Sequence, residues 1–501
     1  MQQKTIPVII GAAQITQSKN VDNPLDPLNL IAQASLKAIE MFRVDGLRKE
    51  IDTIYMSTIS SWIYDDPPSD LSKLLGIELS HKYVAPISGN VPQSLVNKAV
   101  KAISKGECNV ILIAGGEASY STYRSKKNKI NLDWPKPPPK AVDKARKAII
   151  FYLSQFENQY KLTNPTFIYA LIETALRASL GRTLKEHSDS IGRLYEKFSK
   201  IASKNPYAWE KTQYNAKDII TPSTDNRMIC HPYTKRMVSN LYVDQAASII
   251  ITSEEIAQNL GIDPKFWVYL MGGVDLENIF YLSQRPKLYN SPAIREASRL
   301  ALDQAGLKLK DINAFDLYSC FPCIVEIAKR EIGIEEDDPR NLTLTGGLSF
   351  FGGPFSSYSM HSIVSAVNLI QKKPSTNIMV LANGGYNTAQ SIGIYGNKPP
   401  AKGWDENDYE EIQNSMINKS LQAPVVKAYG NLTIEGYTII HDRKGLPDYG
   451  AVIGRLESGE RTFASIITDS ETFLRLEKQE LVGKTYKVVY DNELKRNKLL
   501  I

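Results

Sequence analysis

Cysteine is scarce, with four in 501 residues. So few thiols in so long a chain exclude a disulfide framework and point to a reducing compartment, the cytoplasm. Long apolar runs are missing too; no stretch approaches the ~20 residues of a membrane span. The N-terminus has no basic segment followed by a signal-type apolar block, and Pro7-Val8-Ile9-Ile10 reads instead as a first strand. A strong excess of one charge is also lacking. A net charge of +6 with 23% charged residues admits anionic ligands without demanding nucleic acid. Cys320-Phe321-Pro322-Cys323 stands without the second cysteine pair that structural zinc wants, so no metal site is expected. A thioredoxin-like reading of the same motif stays open on position alone, because it follows a strand and opens a helix.

What the chain does have is a glycine-rich stretch, Leu344-Thr345-Gly346-Gly347-Leu348-Ser349-Phe350-Phe351-Gly352-Gly353-Pro354, leading into an apolar pattern at Ile363, Val364, Ala366, Val367 and Ile370. Glycine lets backbone approach a ligand closely, and a helix N-terminus carries unpaired N–H groups suited to a carbonyl, oxyanion or phosphate. The stretch reads as a loop feeding a helix, either facing a ligand or simply tight. It has an earlier partner. Ser88-Gly89-Asn90-Val91-Pro92 also precedes a helical pattern, and the strands that follow, Asn109–Glu117 and Asn377–Tyr386, are near copies ending in a glycine pair. Pro27–Tyr55 and Pro292–Tyr318 repeat helix, charged turn and strand. The chain is therefore predicted to be an internally duplicated α/β protein with mainly parallel sheets.

The expected organisation has a first half at 1–120 with 241–262, an inserted segment at 121–240, a second half at 263–396, a linker at 397–420 and a β domain at 421–501. The insertion is basic, with Arg124, Lys126, Lys127, Lys129, Lys136, Lys140, Lys144, Arg146 and Lys147 outnumbering Asp133 and Asp143. These residues meet a polyphosphate or form a solvated charged face. Helices are expected near Phe167–Leu180 and Lys185–Ser203. In the last segment, strand signals at Val425–Tyr429, Thr433–Ile440, Ala451–Leu456, Thr462–Ile467 and Lys484–Tyr490 predict a small all-β, OB-like barrel. Its few aromatics and mixed charge make nucleic acid an unexpected partner.

The duplicated halves, the two glycine–proline turns, Ala114-Gly115-Gly116-Glu117, Asp244-Gln245-Ala246-Ala247 and Asp316-Leu317-Tyr318-Ser319-Cys320-Phe321 together resemble the thiolase superfamily over residues 5–396. The added β domain resembles that of thiolase-like proteins type 1, often catalogued as acetyl-CoA acetyltransferases. The resemblance implies a five-layered α/β/α/β/α fold, a site for CoA or acyl-CoA as ligand with no tightly bound cofactor, and a homodimer formed through sheet edges. It also implies chemistry by a cysteine acyl-enzyme, a second cysteine, and histidines or an asparagine at the oxyanion holes.

At the matching positions the residues differ. The nucleophile's place falls on Gly89 or Asn90, with Ser88 nearby. The loop histidines fall on Gly353 and Tyr318, and the second cysteine on Leu381 or Ala382. Ordinary thiolase turnover is therefore expected to be weak or absent. Tyr318 and Asn383 remain as hydrogen-bond donors and His361 as a candidate base, so these three are the candidate catalytic residues; Tyr318 and His361 read alternatively as hydrogen-bonded core residues. Gly89, Asn90, Gly346, Gly347, Gly352 and Gly353 are the candidate loop contacts to CoA. Arg227, Lys235 and Arg236 are candidate phosphate contacts or ordinary surface charge, and His231 lies on the same loop, which is expected to approach the CoA. Two further readings compete with CoA binding: aldolase-type cleavage of an acyl-CoA by Tyr318 and His361, and a non-enzymatic scaffold acting through the β domain.

Overall fold

The computed structural model describes residues 5–44, 46–142, 153–404 and 409–501. Asp143, Lys144, Arg146 and Lys147 of the basic run, and residues 405–408 of the expected acidic linker, lie outside that range. The first half runs β1 (Pro7–Thr16), α1 (Pro27–Ile39), β2 (Thr53–Ser57), α2 (Pro67–Leu75), β3 (His81–Ala85), α3 (Val91–Ser104) and β4 (Val110–Ala118). The inserted segment follows, with α4 (Pro165–Ser179), α5 (Leu184–Lys204) and a short hairpin of β5 (Met228–Cys230) and β6 (Tyr233–Thr234). The chain then returns to the first sheet as β7 (Asp244–Ser253). Local chemistry sets the helix starts. The Asp26 carboxylate accepts the Leu28 and Asn29 N–H groups at 2.9 and 3.3 Å ahead of Pro27, a cap worth about 1 kcal/mol.

The second half repeats the plan with β8 (Tyr269–Glu277), α6 (Pro292–Ala305), β9 (Ala314–Leu317), α7 (Pro322–Ile332), α8 (Tyr358–Lys372), β10 (Ile378–Gly384) and β11 (Ala389–Gly396). The first sheet has the order β3-β2-β4-β7-β1 and the second β9-β10-β11-β8. In both, the last strand of the half, β7 or β11, is antiparallel to its neighbours, so the sheets are mixed rather than mainly parallel as expected. The outer position of the second sheet is taken by irregular chain: Phe315 N–H donates to the Asn341 carbonyl at 2.8 Å and Leu317 N–H to that of Leu342 at 2.9 Å. These matching orders are the duplication in three dimensions.

The two buried helices α3 and α8 lie back to back between the sheets. Val96, Ala99, Val100 and Ile103 of α3 share one core cluster with Ile363, Val364 and Val367 of α8. With α1 outside the first sheet and α6 and α7 outside the second, the layers are α/β/α/β/α. The strands are buried on both faces, which is why β4 and β7 read as near-continuous apolar runs. β3 is different. It is the free edge of its sheet, and four of its five residues are exposed.

The C-terminal strands β12 (Gly430–His441), β13 (Pro447–Leu456), β14 (Arg461–Ile466), β15 (Thr485–Asp491) and β16 (Arg496–Leu500) close into a ring, β12-β13-β14-β16-β15-β12. Only the β14–β16 pair is parallel, and α9 (Ser470–Leu476) sits between β14 and β15. This is an OB-like Greek-key barrel, so the all-β expectation is corrected by one helix. Two further expectations change. Val425–Tyr429 forms no strand; its Val425 N–H donates to the Arg461 carbonyl at 2.9 Å. The linker contains a helix, Glu410–Ile417, that buries Met416.

The barrel is docked on the insertion. Thr174 Oγ1 donates to the Tyr437 carbonyl at 2.9 Å and accepts the Tyr437 N–H at 3.0 Å. Tyr160 stacks on Phe463 of β14 at 5.5 Å between ring centroids. Among the described residues no helix is long and apolar enough to cross a membrane.

Candidate functional site

The α3 N-terminus, the segment after β9, the end of β10 and the N-terminus of α4 converge on an open cleft of about 320 Å³. Its walls include Gly89, Tyr318, Cys320, Phe355, Asn383 and Tyr386. The topology explains the convergence. In both sheets the parallel strands end at the same side, and the loops after β9 and β10 meet the turn before α3 there.

Gly89 and Tyr318 fit each other tightly. A Cβ built on Gly89 would lie closer than 3.0 Å to both the Tyr318 hydroxyl oxygen and the Asn383 carbonyl oxygen. The tyrosine hydroxyl thus occupies the space into which a side chain at position 89 would project. That hydroxyl has no hydrogen-bond partner among the described residues. Burial, with the Cys320 sulfur next in effect, pushes the phenol pKa up, so it stays protonated and is a free donor facing the cleft.

Asn383 lines the same cleft, but its amide is already used. Nδ2 donates to the Tyr169 hydroxyl at 3.0 Å and toward Cys320 Sγ at 3.8 Å, and Oδ1 accepts from Gln390 Nε2 at 2.8 Å. Sequence reasoning missed Tyr169 at the centre of this arrangement. Its hydroxyl also donates to the Gly385 carbonyl at 2.8 Å and accepts the Asn387 N–H at 3.0 Å. Its ring stacks on Phe321 at 4.4 Å. One tyrosine of the insertion therefore pins the turn after β10 that floors the cleft. Its only sequence signal is an apolar helical pattern. Ser239 and Ser356 were also missed; they line the cleft, and Ser356 Oγ accepts the Ser88 N–H at 3.2 Å.

Several expected site residues lie elsewhere. His361, in the first turn of α8, is fully buried and bonds Gln14 Oε1 through Nδ1 at 2.8 Å. Burial drives its pKa down to about 3, so it is a neutral core histidine outside the cleft lining. Asn90 faces a neighbouring groove, its Oδ1 accepting from the Ser88 hydroxyl at 2.6 Å and its Nδ2 donating to Ser391 Oγ at 3.0 Å. Gly346, Gly347, Gly352 and Gly353 are also absent from the cleft lining. Gly346 and Gly347 press against Ala202 and Phe198 of α5, and Gly352 against Gln245 of β7. These glycines serve helix-to-loop packing. Gly353 has room; a Cβ there meets Leu348 at an ordinary 3.4 Å.

Arg227 lies against the barrel, donating to the Met228 carbonyl at 3.1 Å and the Asp442 carbonyl at 3.5 Å. Lys235 sits exposed in the turn Lys235–Met237, and Arg236 covers the Tyr214 ring at 4.1 Å. His231 is buried against Tyr437, and burial lowers its pKa to about 4. The expected phosphate loop is therefore part of the barrel–insertion junction. Cys320 lines the cleft, but burial lifts its thiol to about 12, and Cys323 is pushed up for the same reason. Neither offers a thiolate at neutral pH.

Comparison with known proteins identifies the fold and the family. Residues 411–493 match the family model described as thiolase-like protein type 1 additional C-terminal domain. The 3-ketoacyl-CoA thiolase of Salmonella typhimurium is 26% identical over 135 residues, 27% of this chain and 33% of that protein. The chain thus matches about a third of the length of such curated relatives. The human mitochondrial 3-ketoacyl-CoA thiolase in complex with CoA shares the fold at 14% identity and TM-score 0.55, covering 78% of this chain and 98% of that one. The Ltp2-ChsH2(DUF35) aldolase does so at 20% and 0.59, covering 78% and 97%. The crystal structure of a monomeric SCP2-thiolase-like protein type 1 from Mycobacterium smegmatis is 31% identical, with TM-score 0.85 and full coverage of both chains. The chain belongs to the SCP2-thiolase-like protein type 1 family.

Proposed function

We propose that this protein binds CoA or an acyl-CoA thioester in the cleft and turns it over weakly or not at all by thiolase chemistry. The observation that carries the proposal is the contact between Gly89 and Tyr318. Position 89, one of the two places at the α3 N-terminus where a thiolase nucleophile would fall, has neither a side chain nor space for one, and the Asn90 side chain at the other faces the neighbouring groove. In place of a nucleophile the cleft offers the protonated Tyr318 hydroxyl, suited to donating to a thioester carbonyl oxygen, beside the positive end of α3. The protein would act in the cytoplasm. Dimerisation through the exposed β3 edge is the arrangement thiolases would suggest, although the Mycobacterium smegmatis relative is described as monomeric.

The aldolase reading draws support from Tyr318 and from the fold likeness to Ltp2-ChsH2. It lacks a base, since His361 sits in the core. No histidine, carboxylate or lysine lines the cleft among the described residues. The scaffold reading has less support still, because Tyr160 and Phe156 already pack against Phe463 of the barrel strand β14.

Calorimetric titration with CoA, acetyl-CoA and pantetheine tests the proposal. One saturable site is expected. Val238→Trp, which puts an indole into the cleft wall, is expected to weaken it at least tenfold. Absence of binding by the wild type would sink the proposal. Rapid acetyl transfer between acetyl-CoA molecules would contradict the second half of it.

A further inference from the structure

A second cavity, of about 220 Å³, opens where the loop after β8 meets the N-terminus of α6 and the end of the helix Glu410–Ile417. Its charged lining residues are Arg285, Lys287, Arg295 and Lys419; no carboxylate lines it among the described residues. The residue that makes it unusual is Arg285, a guanidinium only 3% exposed. Burying such a charge is costly unless an anion pairs with it.

Arg285 is held rigidly. Nε donates to the Ile279 carbonyl at 2.8 Å and Nη1 to the Tyr386 carbonyl at 2.7 Å. Nη2 donates to the Phe280 carbonyl at 3.2 Å and to Thr388 Oγ1 at 3.0 Å. That satisfies four of the five guanidinium N–H groups and leaves one on Nη1. All four acceptors are neutral. The carboxylate that acts on it electrostatically, Glu157, is not within ion-pair distance. Its oxygens accept the N–H groups of Ser154 and Ser283 at 2.8 and 3.0 Å. Among the described residues, Lys287 and Lys419 are exposed and have no carboxylate in ion-pair contact, and only Arg295 is paired, with Glu331 at 3.2 Å and Glu296 at 3.8 Å. A buried cation with a spare donor, two exposed ammonium groups without a carboxylate partner among the described residues (that of Lys287 lies over the Tyr289 ring at 5.9 Å) and a helix N-terminus therefore share a space that holds several waters at roughly 30 Å³ each.

We propose that this cavity is an anion site for a phosphate-class ligand, a phosphate monoester or a pyrophosphate, with Arg285 at its base and Lys287 and Lys419 at its mouth. The proposal stands independently of the reading of the cleft. The site nevertheless has a structural link to it. Arg285 grips the Tyr386 carbonyl and Thr388 hydroxyl, and the same turn presents Gly385 and Tyr386 to the cleft. The barrel reaches the loop as well, because the guanidinium of Arg461 donates to the carbonyls of Ser283 and Arg285. An anion here would neutralise a buried loop charge close to contacts among the second half, the insertion and the barrel.

The test is calorimetric titration of the full chain with sodium pyrophosphate and, separately, inorganic phosphate. Wild type and the double variant Lys287→Ala/Lys419→Ala are compared; both positions are exposed, so the fold is retained. Saturable one-site binding that weakens tenfold or more in the double variant, with an unchanged thermal midpoint without ligand, supports the site. Absence of saturable binding, or binding equally tight in the double variant, overturns it. Val238→Trp separates the two sites: it is expected to weaken CoA at the cleft and leave pyrophosphate untouched. Competition identifies the source. Pyrophosphate that displaces CoA means the site takes the phosphates of CoA itself; simultaneous binding means it takes a separate phosphate ligand.

Discussion

Replacing Gly89 by alanine adds a single methyl group at a tightly packed point of the cleft wall. That methyl would meet the Tyr318 hydroxyl oxygen and ring and the Asn383 main-chain oxygen, all closer than 3.0 Å. None of these yields easily. The Tyr318 ring is buried with its edge against Tyr358, 5.5 Å between centroids, and Asn383 is main chain in β10, paired with Gln390 across to β11. Overpacking of this kind costs about 1–3 kcal/mol, a large share of a typical ~5–15 kcal/mol stability. Tyr318→Phe removes the hydroxyl but leaves the strand carbonyl, so it should relieve part of the cost. The double-mutant cycle is then expected to show a coupling of about 1 kcal/mol. Gly353→Ala is the control: its methyl meets only ordinary contacts at 3.4 Å and beyond, so its effect should stay within about 0.5 kcal/mol. Urea unfolding of the four proteins and the double variant measures all of this, with CoA titration alongside. If Gly89→Ala is as stable as Gly353→Ala and shows no coupling to Tyr318, the space beside Tyr318 is open and the steric closure of the nucleophile position is refuted.

Other outcomes follow from the same geometry. Burial raises the Glu117 carboxyl to about 7 from 4.5, even though it accepts the Ser60 and Ser61 N–H groups at 2.8 and 2.7 Å. Its contribution to stability is thus complete below pH ~4.5 and lost as pH rises through ~7, up to ~3 kcal/mol in all. Denaturation of wild type and Glu117→Gln between pH 5 and 8 should show the wild type alone losing this increment. His361→Leu should leave CoA affinity unchanged while costing ~1–3 kcal/mol of stability for the unpaired Gln14 carbonyl; a tenfold loss of affinity would return His361 to the site. Arg461→Ala removes a buried guanidinium that pairs with the partly exposed Glu435, 2.7 Å through Nε, and breaks the carbonyl contacts to residues 283 and 285. Because Glu435 is partly exposed and keeps Arg455 at 3.0 Å, the cost should be ~1–3 kcal/mol, and limited proteolysis should then cut the connection at 397–420 faster than in wild type.

The duplication was legible in the chain because each half repeats one pattern of apolar runs and glycine pairs. Those runs answer only to local propensity and burial, so Val110–Ala118 and Ile378–Gly384 became the matching strands. The barrel was legible for the same reason, from alternation between turns. Its last strand and its helix were not, since Arg496–Leu500 and Ser470–Leu476 are short and mixed in polarity. The candidate site was legible only where a residue's place in the fold follows from the duplication: Gly89, Tyr318 and Asn383 all reach one cleft.

What the tertiary structure decided is which polar groups face that cleft. Helical spacing places His361 one turn into α8 but cannot tell its core side from its cleft side; packing against Gln14 turned it inward. The glycine-rich stretch has the composition of a ligand loop, yet its glycines are used to admit α5 and β7, a contact between segments more than 100 residues apart. Arg227 carries the right charge for a phosphate, but the barrel docks where it lies, and Lys235, though exposed, does not line the cleft. Arg285, with no motif around it, became the buried cation of a second cavity because its own loop at 279–280 and the distant turn at 386–388 close over it. Backbone pattern is a local property and can be read along the chain. The side a polar group faces depends on contacts between distant segments, and those exist only once the chain has folded.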